Sequence, residues 1–584
     1  MILRALSTRP AQFAGAALLI LLPLLGSRYW VHLGTLVAAF WVLIAGLNLV
    51  VGFTGQLSIG HVGLLAVGAY LFGFLTLHNL AGPEFALAIT AAAGALCGLV
   101  LGLPSLRLPG FYFAMTTLAF TIIVGELAVA LTDVTGGGTG MPVSGFSAPM
   151  DTPVGQYLFT AGIAAAVTLM TILVTRSMWG RAMVSVRDSE VMAAAIGIQS
   201  YRVKLAVFTF SGAMAGLAGG LFGALQTYIT PDTFAFDLSL FFLICIIIGG
   251  KSSIIGPFIG TVVLTLLPEL VSPLAGYGHL FYGVLLLAVI LLIPGGMRQL
   301  LARPPAAGRS QLAPSAALAT LGARPGGETV SGPAKTLVAD GVSRNFGAVR
   351  ALEQVGLTLM SRTVHGLIGP NGSGKTTLLN VFSGYYRLDA GTIRLDGEDI
   401  AAAPVTRRPK LGIGRTFQTP RVIQDMTVLD NVVVGGWTLA QAGFVEGLVS
   451  ASRSRRDERR LRERALALME PLGVAGLASR AANALTHAEL RFVEIARALM
   501  HGPSFILLDE PASGLTHAEM DRLARVIDGL RHQGLGVLLV EHHTDLVFGL
   551  SDRVTALNFG RTISTGTPAE VRSDPDVRRV YLGS

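Results

Sequence analysis

The chain divides into two halves with different hydrophobic patterns. Residues 1–300 carry long apolar stretches with few charges, whereas residues 336–584 mix apolar and charged segments as a soluble protein does. A helix of about 20 apolar residues is long enough to cross a lipid bilayer. The stretches that approach this length are 11–27, 32–53, 59–77, 85–104, 111–132, 156–175, 205–227, 236–250, 254–272 and 279–294. The pattern predicts a polytopic α-helical membrane domain, with about ten spans, over residues 1–300.

Residues 301–335 separate the two halves. They are rich in Ala, Pro, Gly and Ser and have no hydrophobic period, which predicts a flexible linker. Residues 336–584 contain short apolar runs separated by turns and amphipathic segments, which predicts a separate soluble domain.

Composition and charge agree with this division. Of 584 residues, 52% are hydrophobic and 14% are charged. The two cysteines, Cys97 and Cys245, lie in apolar stretches and imply neither a disulfide nor a metal framework. The net charge of +8 does not indicate nucleic acid, because most basic residues flank apolar spans or lie on one polar helix.

The basic residues also predict the orientation of the membrane domain. With ten spans, one side of the membrane receives Arg4, Arg9, Arg107, Arg176, Arg181, Arg187, Arg202, Lys204, Lys251 and Arg298. Lys and Arg accumulate on the cytoplasmic side of membrane proteins. We therefore expect a multi-pass membrane protein with both termini in the cytoplasm.

A glycine-rich loop follows the apolar run 364–368 and leads into a helix-forming run at 378–382. Strand, glycine-rich loop and helix form the context in which backbone N–H groups surround a phosphate. Lys375 is expected to reach the β- and γ-phosphates, and the Thr376 hydroxyl to ligate Mg²⁺. The sequence thus predicts ATP and Mg²⁺ as cofactors, bound by Gly369, Asn371, Gly372, Ser373, Gly374, Lys375, Thr376 and Thr377.

Further polar residues are expected at the same site. Asp509 and Glu510 end an apolar strand: Asp509 is predicted to hold Mg²⁺ together with Thr376 and Gln418, and Glu510 to orient or deprotonate the attacking water. His542 follows another buried strand and is predicted to contact the γ-phosphate. Gln418 is predicted to sense the γ-phosphate, so the expected catalytic residues are Glu510, His542 and Gln418.

Phe346 lies ahead of the predicted strands of this half. Its ring can stack on adenine or belong to the hydrophobic core, and its position alone leaves both interpretations open.

Three features of the membrane half are not typical of helices that only face lipid. Residues 48–61 combine glycines with Gln56, Ser58 and His61, which is typical either of a broken helix along a pathway or of hydrogen-bonded helix packing. Glu126 is costly in lipid and is expected to face the bundle interior. The loop 176–204 contains a helix-forming segment that we predict docks on the nucleotide-binding domain, through Glu190, Ala194 and Gly197.

The membrane half resembles one permease family. The segments 48–70, 106–120, 135–141 and 190–223 are similar, in this order, to the permease of bacterial branched-chain amino-acid ABC importers and of relatives for other amino acids, urea and amides. The similarity covers most of residues 30–298.

The second half resembles the ATP-binding subunit of the same importers. The phosphate loop, Gln418, Asp509-Glu510, His542 and the tail 566–583 carry this similarity. It implies an α/β P-loop ABC ATPase domain with a helical subdomain over 336–584, and two such domains that sandwich ATP.

One motif departs from the family pattern. Where the family has Leu-Ser-Gly-Gly-Gln, which faces the partner's phosphate loop, this chain has Leu485 followed by Thr486, His487, Ala488 and Glu489. Ala488 replaces a glycine where backbone is expected to approach phosphate. We predict two unequal ATP sites, and an increase in hydrolysis on Ala488→Gly.

The resemblance implies ATP-driven import of branched-chain or related amino acids by a permease–ATPase half-transporter. Its implied partners are a second permease and a second ATPase subunit, or a second copy of this chain, together with a periplasmic solute-binding protein and membrane lipid. Import of urea or short amides, an exporter half-transporter and an ATP-regulated channel are the alternatives. The short loops and the number of predicted spans disfavour the exporter.

Overall fold

The computed structural model describes residues 27–108, 110–250, 252–270, 283–284, 287 and 334–582. Contacts divide the chain into two compact units. We call the first the membrane unit; its described residues lie within 1–188, 200–304 and 443–451. We call the second the nucleotide unit; its described residues lie within 189–199, 305–442 and 452–584. The predicted boundaries at 300 and 336 remain predictions.

The membrane unit is helical. Its helices are α1 (Arg28–Asn48), α2 (His61–Leu77), α3 (Pro83–Ser105), α4 (Gly110–Ala130), α5 (Thr132–Thr135), α6 (Pro153–Arg176), α7 (Met178–Asp188), α9 (Ser200–Gln226), α10 (Phe236–Gly249), α11 (Ile255–Leu270) and α14 (Phe444–Leu448). A two-stranded antiparallel ladder joins β1 (Met141–Pro142) to β2 (Tyr228–Ile229). Six helical segments of the described chain are long and apolar enough to cross a membrane. The predicted spans 11–27 and 279–294 lie largely outside the described residues.

The packing of α9 against α2 and α3 shows why this half is rich in glycine. A Cβ atom on Gly216 of α9 would lie 2.3 Å from the carbonyl oxygen of Thr90 and 2.9 Å from the Cα of Gly94, both on α3. Only small residues allow two helix backbones to approach this closely. The glycines of these spans are therefore packing residues.

The nucleotide unit contains both strands and helices. Its strands are β3 (Thr336–Phe346), β4 (Val349–Met360), β5 (Val364–Ile368), β6 (Ala390–Leu395), β7 (Glu398–Asp399), β8 (Ile413–Arg415), β9 (Phe505–Asp509), β10 (Gly536–Val540), β11 (Arg553–Asn558) and β12 (Arg561–Gly566). Its helices are α8 (Glu190–Ala195), α12 (Lys375–Phe382), α13 (Val428–Val433), α15 (Ser452–Met469), α16 (His487–Leu499), α17 (His517–His532), α18 (Thr544–Leu550), α19 (Pro568–Ser573) and α20 (Pro575–Val577).

One six-stranded sheet organises this unit. The strand order is β12-β11-β5-β10-β9-β8, and every pair is parallel except β11 with β12. The central strands β5, β9 and β10 are wholly buried, as apolar runs covered on both faces should be. A four-stranded antiparallel sheet, β4-β3-β6-β7, shares the core through Leu337, Leu367 and Phe382. Helices α13, α15 and α16 pack on one another as the helical subdomain.

Candidate functional site

Parallel strands bring the predicted polar residues of the nucleotide unit to one edge of the six-stranded sheet. The phosphate loop follows β5, Asp509 ends β9, and His542 comes two residues after β10. Gln418 follows β8, which pairs with β9. Because neighbouring parallel strands end at the same edge, residues far apart in sequence meet there.

The phosphate loop is shaped to surround an anion. Gly374 has φ +103° and caps α12, and a Cβ atom there would lie 2.6 Å from the Ala351 carbonyl oxygen. The Lys375 ammonium donates to the carbonyl oxygens of Gly369 at 2.7 Å and Pro370 at 2.9 Å. The loop thus carries a cation beside the N-terminus of α12, and both features favour an anion such as phosphate.

One observation at this loop, at Ser373, fits a bound phosphate. The Ser373 hydroxyl is buried and has no hydrogen-bond partner among the described residues. Burial lowers the pKa of Lys375, while Glu510 and Asp509 act in the opposite direction. Asn371, Gly372 and Thr376 are exposed, Gly374 and Thr377 are partly buried, and Gly369, Ser373 and Lys375 are buried.

Glu510 is held between the two other predicted catalytic residues. Its carboxylate accepts a hydrogen bond from Gln418 Nε2 at 2.8 Å and lies 2.6 Å from His542 Nε2. Its backbone has φ +45°, a left-handed conformation that is strained for a residue with a side chain. Strain of this kind is found where a side chain must be aimed at a reacting group. The structure therefore brings Gln418, Glu510 and His542 together.

Asp509 is the buried acid of the pair. Its side chain lies 3.4 Å from the Arg415 guanidinium. Burial raises the pKa of Asp509, and Arg415 opposes that shift. Together with the Thr376 hydroxyl and the Gln418 amide, the carboxylate offers the all-oxygen donor set that Mg²⁺ prefers. The predicted residues thus fit this ion by their chemistry.

Sequence reasoning missed the arginines that fix these positions. Buried Arg491, on α16, donates to the carbonyl oxygens of Phe417 at 2.5 Å, Gln418 at 2.7 Å and Glu510 at 3.3 Å. It therefore ties the Gln418 turn to the Glu510 backbone. The sequence gives only a weak signal, since an arginine in an amphipathic helix usually faces solvent.

Glu541 is a second residue that the sequence reasoning overlooked. It accepts a hydrogen bond from the Ala512 N–H at 2.5 Å and one from the His542 N–H at 3.1 Å. Burial raises the pKa of Glu541, and these two hydrogen bonds oppose the shift. The carboxylate links the segment after Glu510 to the one that carries His542. Its place directly before His542 was the available signal.

The Phe346 ring is 40% exposed. Its centroid lies 5.0 Å from that of Tyr386 in an edge-on arrangement, and the Arg344 guanidinium lies 4.9 Å from it. Exposure of this size favours a ring that is available for stacking over a core residue; its contact with adenine stays a prediction.

The altered signature forms the start of α16. Thr486 caps this helix: its hydroxyl accepts the Glu489 N–H, and its own N–H donates to the Glu489 carboxylate at 2.7 Å. Ala488 is buried, so its methyl group points into the unit. His487 is exposed, and its Nε2 lies 3.2 Å from the carbonyl oxygen of Ser513. His487 and Ala488 both stand where the family has glycine. Of the two, His487 is therefore the residue whose added side chain lies at the surface.

The predicted coupling segment belongs to the nucleotide unit. Ser189 caps α8 and receives a hydrogen bond from Arg421 at 3.1 Å, and the Tyr385 hydroxyl donates to the Val191 carbonyl. Glu190 is exposed and Ala194 partly buried. Gly197 is buried with φ +89°, and a Cβ atom there would lie 2.6 Å from Thr438.

The membrane unit contains the predicted helix break. A π-helix at Leu49–Phe53 extends α1, and residues 55–59 are not helical before α2 begins. His61 also joins helices, through Ser58 Oγ at 3.0 Å and Ser211 Oγ at 2.7 Å. This stretch therefore combines a helix break with polar packing, and its place along a pathway stays a prediction.

Two further findings differ from expectation. Among the described residues Glu126 is exposed on α4 and does not face the interior of the helices packed there, which differs from the prediction. None of the described helices covers that face of α4, so the expectation of burial is not met within this part of the chain. The second finding is that residues 443–451 lie in the membrane unit. The centroid of the Phe444 ring there lies 5.2 Å from that of Trp179 and 5.7 Å from that of Phe210. No local pattern in the sequence predicts that this segment belongs to the membrane unit.

Comparison with known proteins agrees with the two units. A family described as the permease component of the branched-chain amino acid transport system matches residues 31–294. The ABC transporter family matches residues 352–513, and a branched-chain amino acid ATP-binding cassette family matches residues 561–584.

Individual relatives match the second half of the chain. The high-affinity branched-chain amino acid transport ATP-binding protein LivG of Salmonella typhimurium is 38% identical over 248 residues, which are 42% of this chain and 97% of the relative. The corresponding protein BraF of Pseudomonas aeruginosa has the same identity and coverage. The crystal structure of an ATP-binding cassette of an ABC transporter in its ADP conformation covers 43% of this chain and 99% of its own, at 31% identity and a TM-score of 0.38.

The relatives are matched over nearly their whole length, and the permease match occupies the other half of the chain. The chain therefore belongs to the family of branched-chain amino acid ABC transporters, with a permease component and an ATP-binding component in one polypeptide.

Proposed function

We propose that this chain is half of an ATP-driven importer of branched-chain amino acids at the bacterial inner membrane. The observation that carries the proposal is the position of Glu510, which Gln418 and His542 hold beside Asp509 and the phosphate loop. The same chain carries helices long enough to span a membrane. Relatives of the ATP-binding half are named for branched-chain amino acid transport.

Each residue of the site has a step to perform. Backbone N–H groups of the phosphate loop and Lys375 bind and orient the phosphates. Glu510 accepts a proton from, or orients, the water that attacks the γ-phosphate, and His542 and Gln418 keep its carboxylate in place. Asp509, Thr376 and Gln418 would hold Mg²⁺, which when bound neutralises charge on the phosphates.

The partners follow from the same proposal. An importer of this kind takes its solute from a periplasmic binding protein and needs a second permease and a second ATPase domain, supplied by other subunits or by a second copy. The positive charges that flank the spans support a cytoplasmic nucleotide unit. Urea and short amides remain alternative solutes.

The test measures uptake of labelled leucine by cells in which the full chain, either unaltered or with Lys375→Ala, replaces the cells' own copy. We expect the substitution to abolish uptake, whereas Lys410→Ala, at an exposed position outside the site, should leave uptake unchanged. Leucine entry that persists with Lys375→Ala would indicate a channel, and ATP-dependent leucine efflux would indicate an exporter. Either result would contradict the proposal.

A further inference from the structure

Arg187 makes an unusual set of contacts within the membrane unit. It lies in the last turn of α7, and its side chain is only 9% exposed. Its guanidinium donates to the carbonyl oxygen of Gly52 at 3.1 Å and to the Ser252 hydroxyl, and its Nε donates to Asp188 at 2.7 Å. One side chain thereby connects three parts of the chain that are distant in sequence.

The two remote acceptors lie at interruptions of membrane helices. Gly52 is in the π-helix that precedes the non-helical residues 55–59, and Ser252 is in the turn between α10 and α11. The Asn48 amide makes a second link between these elements, since it donates to the Ser253 carbonyl at 2.7 Å. A carbonyl near a helix break lacks the regular helical ladder, so a charged donor there stabilises the break.

The side chain of Arg187 also covers the backbone of this break. A Cβ atom on Gly55, which has φ +72°, would lie 2.8 Å from the Arg187 Cγ. The stem of the arginine therefore packs on a glycine that no larger residue can replace without moving it.

Arg187 lies close in sequence to a segment that belongs to the nucleotide unit. Ser189, two residues later, begins the segment 189–199 of the nucleotide unit. Two residues span at most about 7 Å. The chain between Arg187 and that segment is therefore too short to take up a displacement of the segment, and the displacement reaches Arg187. We propose that Arg187 is a positioning residue for transport: it passes movement of segment 189–199 to the helix break at 49–59 and to the turn at Ser252. This inference rests on the proposed function.

The experiment compares two measurements on the full chain. One is uptake of labelled leucine by cells that produce it, and the other is ATP hydrolysis by the complex purified from those cells. Loss of charged hydrogen bonds of this kind shifts an equilibrium by about tenfold or more, so Arg187→Ala should lower uptake by at least that factor. Hydrolysis should change by less than about twofold, because the residue is outside the nucleotide site. Arg187→Lys, which keeps the charge and one donor direction, should restore part of the uptake.

Two further variants protect the test against misfolding. Arg202→Ala removes an exposed charge near the start of α9 and should leave uptake unchanged. Ser252→Ala keeps Arg187 and removes one acceptor, and should lower uptake by a few-fold, about the effect of one hydrogen bond. Equal loss of uptake and hydrolysis in Arg187→Ala, or unchanged uptake in both Arg187→Ala and Ser252→Ala, would overturn the inference. If the unaltered chain took up no leucine, the proposed function would fail first, and this inference with it.

Discussion

The two units bury polar side chains in different ways. In the nucleotide unit the buried groups include charged residues that contact one another, such as Arg415 with Asp509 and Arg491 with Glu494. In the membrane-spanning helices the buried polar groups are mainly hydroxyls that donate to a carbonyl one turn earlier, as Thr35 does to Val31. A charged network costs solvation free energy and persists where function requires it, whereas a hydroxyl satisfied within its own helix needs no partner.

The difference determines where each unit is sensitive to substitution. The nucleotide unit should lose activity through single polar residues that leave its fold intact. The membrane unit should lose stability through the volume of its small residues, and polar substitutions within one helix should matter less.

The largest expected effect is on Glu510. Glu510→Gln keeps a side chain that can pair with Gln418 and His542 but removes the carboxylate that acts on water. Hydrolysis by the purified complex should fall by about 100-fold or more, while ATP binding is retained. Phosphate release and binding of a fluorescent ATP analogue measure the two quantities. Glu353→Gln, on the surface and paired with Arg561, is the control; hydrolysis that survived in Glu510→Gln would assign the water to another residue.

Packing in the membrane unit should produce the next effect. Gly216→Leu inserts a side chain where the α3 backbone lies within 3 Å of the new Cβ position. Overpacking of this kind costs about 1–3 kcal/mol, so the yield of folded protein and its midpoint of thermal unfolding in detergent should both fall. Gly162→Leu on α6 is the matched control, because a Cβ atom at Gly162 meets no atom of the described residues within 4 Å. Equal behaviour of the two variants would remove the packing role of these glycines.

A buried histidine should make the stability of the nucleotide unit depend on pH. Burial lowers the pKa of His365 to about 4 from 6.5, with a contribution from Arg553. The neutral ring contacts the Thr358 carbonyl at 3.1 Å and the Thr555 hydroxyl at 2.9 Å. Because the pKa of His365 is depressed in the folded state, the neutral ring makes its full contribution to the free energy of unfolding above pH 6.5. That contribution is lost as the pH falls from 6.5 towards 4. Between pH 7 and pH 5 the loss should be about 2 kcal/mol.

His365→Gln tests this prediction, because glutamine can make similar hydrogen bonds but does not titrate. The unfolding midpoint of the nucleotide unit within the full chain should depend less on pH in this variant than in the unaltered protein. His532→Gln, at an exposed position on α17, should leave the pH dependence unchanged. The prediction is wrong if His365→Gln and the unaltered chain lose stability in parallel.

How much of the molecule was predictable depends on the range of the interactions. The phosphate loop and the strands before Asp509 and His542 were predictable, because each motif is local and parallel strands bring local motifs to one edge. The contact of Arg187 with Gly52 joins residues 135 positions apart and has no local pattern. The same holds for Phe444 against Phe210 in the membrane unit and for Arg491 behind Glu510. The exposure of Glu126 among the described residues was not predictable either, since it depends on which helices pack against α4.

The smallest expected effect lies at the altered signature, where two neighbouring residues, His487 and Ala488, stand in place of the family's glycines. By its resemblance this segment faces the phosphate loop of a partner ATPase domain. The sequence-based prediction assigns the weak site to Ala488, yet the Ala488 methyl group is buried, and the exposed His487 contacts the Ser513 carbonyl. His487→Gly should therefore raise hydrolysis in the assembled complex by about two- to fivefold, the effect of one hydrogen bond, and Ala488→Gly should raise it less. A larger gain from Ala488→Gly would mean that backbone freedom, and not the imidazole, limits the site; no gain from either would mean that the altered signature does not weaken it.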